Sequence, residues 1–399
     1  MKRSLLLAAV SALCAAAADN LGPFEGRSDV GAVLKPGTVE VDLAQKQFTI
    51  SASGENMWAR EDDFHFVWKK ASGDVAITAS AAFPKPGGNA HRKAILMIRQ
   101  SLDQDSAYVD AALHGDGLTS LQSRDTQGGL TKEVGTAAAA PTRMRIEKRG
   151  DYFTLYMARE GEPLHLAGGS MKLSLTEPFY IGLAVCAHDK NAFETAVFSD
   201  VQVETLAPAK TTKLYSTLET VVVTSTDRRV SYVTDARIES PAWSVDGKSL
   251  SFLEGGRPKR AVPDSGKAAD AQDVPRSGKS AEMTPDGQWI YFASSKNGHI
   301  WRMNSEGGEQ SQVTSDEFQD FDPHLSPDGK RVAFLSSTAL LTKDGDVLLR
   351  VMNLADGPNG QAKVTVIAKL IGGHGTLGPG AWSPDGKRLT FVSYQYLPE

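Results

Sequence analysis

Between residues 24 and 204, hydrophobic and polar positions alternate with a period of two. Phe64, Phe66 and Trp68 share one parity and His65 and Lys69 the other; Val109, Ala111 and Leu113 alternate with Tyr108, Asp110, Ala112 and His114. Met144 and Ile146 alternate with Arg143, Arg145 and Glu147, and Phe153, Leu155 and Met157 with Tyr152, Thr154 and Tyr156. Alternation of this kind predicts antiparallel strands with one face on a core. Clusters such as Ala71-Ser72-Gly73-Asp74, Pro86-Gly87-Gly88-Asn89 and Gly115-Asp116-Gly117 mark turns between them. Many short strands in one block predict a β-sandwich over residues 19–206.

After a linker at 207–216 the rhythm changes to a repeat. Its copies are Trp243-Ser-Val-Asp246-Gly247-Lys248, Met283-Thr-Pro285-Asp286-Gly287-Gln288, Leu325-Ser-Pro327-Asp328-Gly329-Lys330 and Trp382-Ser-Pro384-Asp385-Gly386-Lys387, each followed by a strand carrying Phe252, Phe292, Phe334 or Phe391. In such a turn Pro presets φ, Asp bonds the nearby backbone and Gly accepts positive φ. The first two Asp-to-Asp spacings, 40 and 42 residues, each fit one propeller blade. Residues 217–399 hold about four blades at that period, and single blades cannot bury their faces without neighbours. The last copy is short of strands. Residues 218–234 are therefore expected to complete the same blade as residues 380–396, which avoids leaving an exposed strand edge. Residues 255–281 contain no aromatic residue, Leu or Ile and are expected to form a low-complexity loop where blades are missing. The ring then either closes with four blades or stays incomplete.

The 399 residues are 41% apolar and 23% charged with a formal net charge of −5, which argues against nucleic acid as a partner. Met1-Lys2-Arg3, the apolar run Leu5–Ala18 and Ala16-x-Ala18 form an expected signal peptide at residues 1–18, implying a periplasmic or secreted protein. No later run is long enough for a membrane span. Cleavage removes Cys14 and leaves Cys186, which is expected as a buried thiol without a disulfide.

Motifs for a serine nucleophile elbow, a phosphate loop or a zinc helix are absent, and the eight His lack ligand spacing. No metal, cofactor or catalytic residue is assigned. Thr342-Lys-Asp344-Gly-Asp346 lacks the Glu that completes a calcium loop and is read as a turn. The polar faces of the sandwich strands offer a candidate ligand surface: His65 in one strand, Tyr108, Asp110 and His114 in another, and His188 after the small residues Gly182, Ala184 and Cys186, with Trp58 and Arg60 adjoining. Aromatic rings stack on sugars and polar groups bond their hydroxyls. Only Asp110 is a candidate carboxylate there, so a glycosidase pair is not assigned. His324 and His374 are expected in propeller loops.

The four Ser/Thr-Pro/Val-Asp-Gly copies resemble the PD40/WD40-like repeats of TolB-like β-propellers. Met57-Trp58-Ala59-Arg60, Phe64-His65-Phe66-Val67-Trp68 and Arg145-Ile-Glu-Lys-Arg-Gly150-Asp resemble a concanavalin-like, jelly-roll domain joined to such propellers in exported bacterial proteins. The resemblance implies an all-β protein, with a concanavalin-like sandwich followed by a TolB-like propeller over 217–399. It also implies a lectin-like sandwich face for carbohydrate and a propeller surface for a cell-envelope protein. The function expected is that of an exported, non-enzymatic binding protein. The alternative is a polysaccharide-acting hydrolase or lyase, its site on the sandwich face or in the propeller channel.

Overall fold

The computed structural model describes residues 20–136, 140, 142–263, 265–271, 281–339, 344–354 and 363–398. The expected signal peptide and Cys14 lie outside them. The described residues form an all-β protein, and no helix among them is long and apolar enough to cross a membrane.

The front sheet of the sandwich runs Gly26–Val30, Phe64–Ala71, Phe179–Cys186, Lys93–Arg99, Tyr108–His114, Thr119–Arg124 and Lys132–Gly135. The back sheet runs His165–Leu166, Tyr152–Ala158, Arg143–Arg149, Val75–Ala82, Asp189–Thr205, Gln47–Gly54 and Thr38–Asp42. Val67, Leu96, Val109 and Leu183 of the front sheet meet Ile50, Ile77, Ile146 and Phe198 of the back sheet in the main core.

The front sheet is buried on its other side as well. There Phe64, Phe66, Ile95, Met97 and Tyr108 form a second apolar cluster with Met57, which belongs to the small hairpin Met57–Trp58/Glu61–Asp62. This corrects the expected facing of one strand. Phe64 and Phe66 belong to the second cluster, whereas Val67, which shares parity with His65, belongs to the main core. Alternation tells which residues share a face; it does not tell which face when both are buried.

The chain then leaves the back sheet at Thr205 and enters Thr212–Val222, so the second half of the expected linker is strand. The front sheet itself runs on into the propeller: Lys132–Gly135 pairs in parallel with Arg228–Thr234. Three blades follow chain order. The first is Ile238–Trp243, Leu250–Glu254, Arg257–Ala261 and Ala268–Asp270; the second is Ala281–Met283, Trp289–Ala293, Ile300–Asn304 and Ser311–Gln312. The third is Gln319–Leu325, Arg331–Ser337, Gly345–Asn353 and Val364–Gly372.

The fourth blade is assembled from distant segments. Arg388–Pro398 pairs with Thr212–Val222, which pairs with Arg228–Thr234, and a bridge between Trp382 and Leu389 adds an inner segment. Residues 218–234 and 380–396 thus share a blade.

The loop expected at 255–281 is corrected in part. Arg257–Ala261 and Ala268–Asp270 are the outer strands of the first blade, while residues 272–280 lie outside the described residues. These strands need little apolar content. Ala261 packs with Trp243 and Phe252, and Lys259 bridges Glu254 at 3.5 Å and Asp270 at 2.9 Å. A charged outer strand also protects a sheet edge from further pairing.

The repeated turn is closed the same way in every blade. Ser244, Thr284, Ser326 and Ser383 donate to Oδ1 of Asp246, Asp286, Asp328 and Asp385 at 2.6, 2.6, 2.5 and 2.6 Å. The same Oδ1 atoms accept from the backbone N–H of Lys248, Gln288, Lys330 and Lys387.

Candidate binding site

Strand register builds the site. Asp110 lies opposite Gln122 and Gln122 opposite Glu133, so the three form a row across Tyr108–His114, Thr119–Arg124 and Lys132–Gly135. Lys93 lies opposite His114 one step along the sheet. All are on the face that carries the second apolar cluster, because Tyr108 and Ala112, of the same parity as Asp110 and His114, belong to it.

Gln122 organises this row. Its Nε2 donates to Glu133 Oε2 at 3.1 Å and lies 3.3 Å from His114 Nε2. Lys93 Nζ donates to Met57 O at 2.9 Å, Asn56 Oδ1 at 3.1 Å and Gln122 Oε1 at 3.4 Å. Asp110 stands apart: its side chain is fully buried, and neither carboxylate oxygen has a hydrogen-bond partner. Burial pushes the Asp110 carboxyl well above the usual range, with Lys93 opposing. Burial likewise raises Glu133, opposed by the bond from Gln122. His114 is lowered to about 3 by burial and by nearby Lys93, so its ring is neutral through the physiological range.

The hairpin beside the row is fixed by charge. Arg124 Nη1 and Nη2 donate to the two oxygens of Asp62 at 2.8 and 2.6 Å, and Arg99 Nη2 lies 3.5 Å from the same carboxylate. Burial works against the charge on Arg124, but Asp62 outweighs it and raises the guanidinium pKa. Tyr108 is locked by Thr131, its hydroxyl 3.1 Å from Oγ1.

Of the residues expected to form the ligand surface, Tyr108, Asp110 and His114 come together. His188 reaches them through His91, whose ring centroid is 5.4 Å from His188 and 6.1 Å from His114. Trp58 is 38% exposed in the hairpin, with Lys93 Nζ 5.6 Å from its ring centroid. Arg60 instead bonds the Gly128 carbonyl at 2.7 Å. His65 is on the opposite face and holds Asp29 at 2.7 Å. The small residues leave no room either: a Cβ on Gly182 would meet Phe66 at 2.9 Å, so that ring fills the space.

Cys186 is buried and its thiol is pushed up to about 11, chiefly by burial. In the propeller, His324 pairs with Glu282 at 2.6 Å, and His374 with Asp322 at 3.1 Å. Asp344 is taken by Arg237 at 2.6 and 2.8 Å. Among the described residues no group of three or more His, Cys, Asp and Glu is arranged for a metal ion.

Lys93, Gln122 and Glu133 were missed by sequence reasoning. Lys93 heads the unbroken run Ala94-Ile95-Leu96-Met97-Ile98, which is buried on both faces and shows no alternation. Gln122 lies in a strand that reads as a polar loop, and Glu133 in a strand of four residues. The row ends at a cleft of about 590 Å³ between the domains, lined by Trp58, Glu133 and Tyr152 of the sandwich and Arg228, Lys369 and Gln395 of the propeller.

No family model matches the chain. An uncharacterized protein from Agrobacterium fabrum is 35% identical over 171 residues, covering 38% of this chain and 53% of the relative. The chain thus spans about half the length of the curated relative it matches. Among solved structures, a candidate TolB from Agrobacterium tumefaciens is 22% identical, covering 46% of this chain and all of its own, with a TM-score of 0.38. TolB from Acinetobacter baumannii is 14% identical over 75% of this chain and 64% of its own, with a TM-score of 0.19. An alginate lyase from Klebsiella pneumoniae is 11% identical over 42% of this chain and 84% of its own, with a TM-score of 0.28.

Proposed function

We propose that the protein is an exported, concanavalin-like and TolB-like binding protein. Its sandwich takes a carbohydrate at the interdomain cleft, which Glu133 and Trp58 line and behind which Gln122 and Asp110 stand in the same row, and its propeller meets a cell-envelope protein. The observation that carries the carbohydrate reading is the pair of unpartnered oxygens on buried Asp110. A buried acceptor without a partner costs about 1–3 kcal/mol, which a ligand hydroxyl would recover. Burial favours the uncharged forms of Asp110, Glu133 and His114, and neutral donors and acceptors suit a polyol better than an ion. Trp58 supplies a half-open ring for stacking.

A glycan array followed by calorimetry tests this reading. Asp110→Ala and Gln122→Ala are expected to weaken the best ligand about tenfold or more, the equivalent of one buried hydrogen bond. Unchanged affinity in both folded variants would overturn it.

One observation favours the enzymatic alternative. Glu133 is the second carboxylate that the sequence reading lacked; it sits two strands from Asp110, with backbones about 9–10 Å apart by strand spacing. Inverting glycosidases hold their carboxyl groups about 6.5–9.5 Å apart, a separation that side chains on such backbones can reach. Glu133→Gln separates the two readings. It retains hydrogen bonding and leaves binding nearly intact, whereas a hydrolase would lose turnover measured as reducing-end release. Export is tested by the N-terminus of protein from the periplasmic fraction, expected at Asp19.

A further inference from the structure

We infer that two copies of this chain join their propellers head to tail into one ring of eight blades. Among the described residues, apolar clusters join the four blades of a single copy at three of the four junctions that a closed ring needs. Three apolar clusters join neighbouring blades. Tyr291 and Ile300 of the second blade meet Phe334 of the third; Leu335 and Leu349 of the third meet Phe391 of the fourth; Leu218 and Tyr394 of the fourth meet Phe252 of the first. Among the described residues no cluster joins the first blade to the second.

The repeated turns record the same break. A Cβ on Gly329 would lie 2.8 Å from Pro285, one on Gly386 3.9 Å from Pro327, and one on Gly247 3.5 Å from Pro384. Each turn glycine therefore sits on the turn of the blade before it. Gly287, in the second blade, would meet nothing within 4 Å. Val245, which holds the proline position in the first blade's turn, is 96% exposed.

The repeated Phe repeats the pattern. Phe252, Phe334 and Phe391 are each 0% exposed and face the preceding blade. Phe292 is only half-buried. Strand pairing puts it on one face with Met283, Ile290, Trp301 and Met303, because Tyr291 of opposite parity faces the third blade. Met283 is 54% exposed, and Ile290, Trp301 and Met303 are half-buried. A contiguous apolar face of this kind marks an interaction site.

The occupant follows from the three junctions already formed. Each joins a Phe-bearing face and a turn glycine to the far face of the preceding blade. The second blade offers the first half of that junction; the first blade, with Val245 exposed and Leu253 and Pro258 alternating with Phe252, offers the other. Among the described residues of one copy no apolar cluster joins these halves. In two copies related by a two-fold axis each free end finds its complement once, the junction forms twice, and a head-to-tail interface closes instead of growing. The sandwich does not obstruct this, since the propeller residues lining its cleft come from the third and fourth blades.

The test uses the mature protein at micromolar concentration. Sedimentation equilibrium should give twice the chain mass, and Phe292→Glu or Trp301→Glu should weaken association about a hundredfold, the effect of losing an interface hot spot. Circular dichroism and melting of those variants should match the dissociated parent, which shows that they fold. In the double variant Val245→Cys with Gln288→Cys, oxidation should link chains into a covalent dimer and no further. A monomer at every concentration, a bridge within one chain, or open-ended polymers would each overturn the proposal.

Discussion

The turn aspartates of the propeller and Asp110 of the sandwich behave in opposite ways. In the propeller turns, Asp246, Asp286, Asp328 and Asp385 sit at the surface, and the hydroxyl two residues earlier holds each carboxyl below the usual range. In the sandwich, Asp110 is buried without a partner and its carboxyl is driven well above that range. The difference lies in how each architecture is built. The repeated turn satisfies its polar groups within a few residues of chain, so each blade carries its own closed turn. The front sheet is buried on both faces, so polar residues along its strands are desolvated by segments far away in the chain. Local closure makes the propeller repetitive, and long-range burial leaves Asp110 of the sandwich desolvated and without a partner.

The largest effect should come from removing the strand that holds the fourth blade together. Deleting Arg388–Pro398 strips Thr212–Val222 of its eleven paired neighbours. Hydrogen exchange should then show Leu218 to Val222 losing protection, while Phe179–Cys186 in the sandwich keeps it. Equal loss in both halves would mean that the shared sheet through Lys132–Gly135 couples them more tightly than two paired residues suggest.

A smaller but still large effect is expected at Asp62. Asp62→Ala leaves Arg99 and Arg124 buried without their carboxylate and should cost about 3–5 kcal/mol in denaturant unfolding of the sandwich. A loss below about 1 kcal/mol would show that the backbone carbonyls around Arg124 suffice to hold its charge.

The pH dependence should separate the turn aspartates from Asp110 by sign. A carboxyl raised in the folded state binds its proton more tightly than in the unfolded chain. Its contribution therefore falls as pH rises from about 4, the unfolded value, towards the folded one. The turn aspartates have lowered pKa values, and their contribution is lost as pH falls below about 4. Asp110→Asn should flatten the decline of sandwich stability at rising pH and leave the acid limb unchanged. Melting curves across that range check both limbs.

The smallest effect belongs to a single turn. Ser326 donates to Asp328 and accepts from the Arg331 N–H at 2.9 Å, so Ser326→Ala should cost about 0.5–1.5 kcal/mol. Scanning calorimetry should show the shift in the propeller transition alone.

What the sequence determined by itself is whatever depends on neighbours in the chain. The Ser/Thr-x-Asp-Gly turn carries its own donors, acceptors and positive φ, so the four blades and their turns were legible, as was the pairing of residues 218–234 with 380–396. Period-two alternation likewise grouped Tyr108, Asp110 and His114 on one face. Only the tertiary structure decided which face that was, because a sheet covered on both sides gives the alternation no polar reference. It separated His65 from that group and brought in Lys93, Gln122 and Glu133 from strands whose local pattern carries no mark of a site. It also decided that three Phe of the repeat are buried and Phe292 is not. Equivalent segments of the repeat differ there in whether a neighbouring blade arrives, and burial is a property of what arrives.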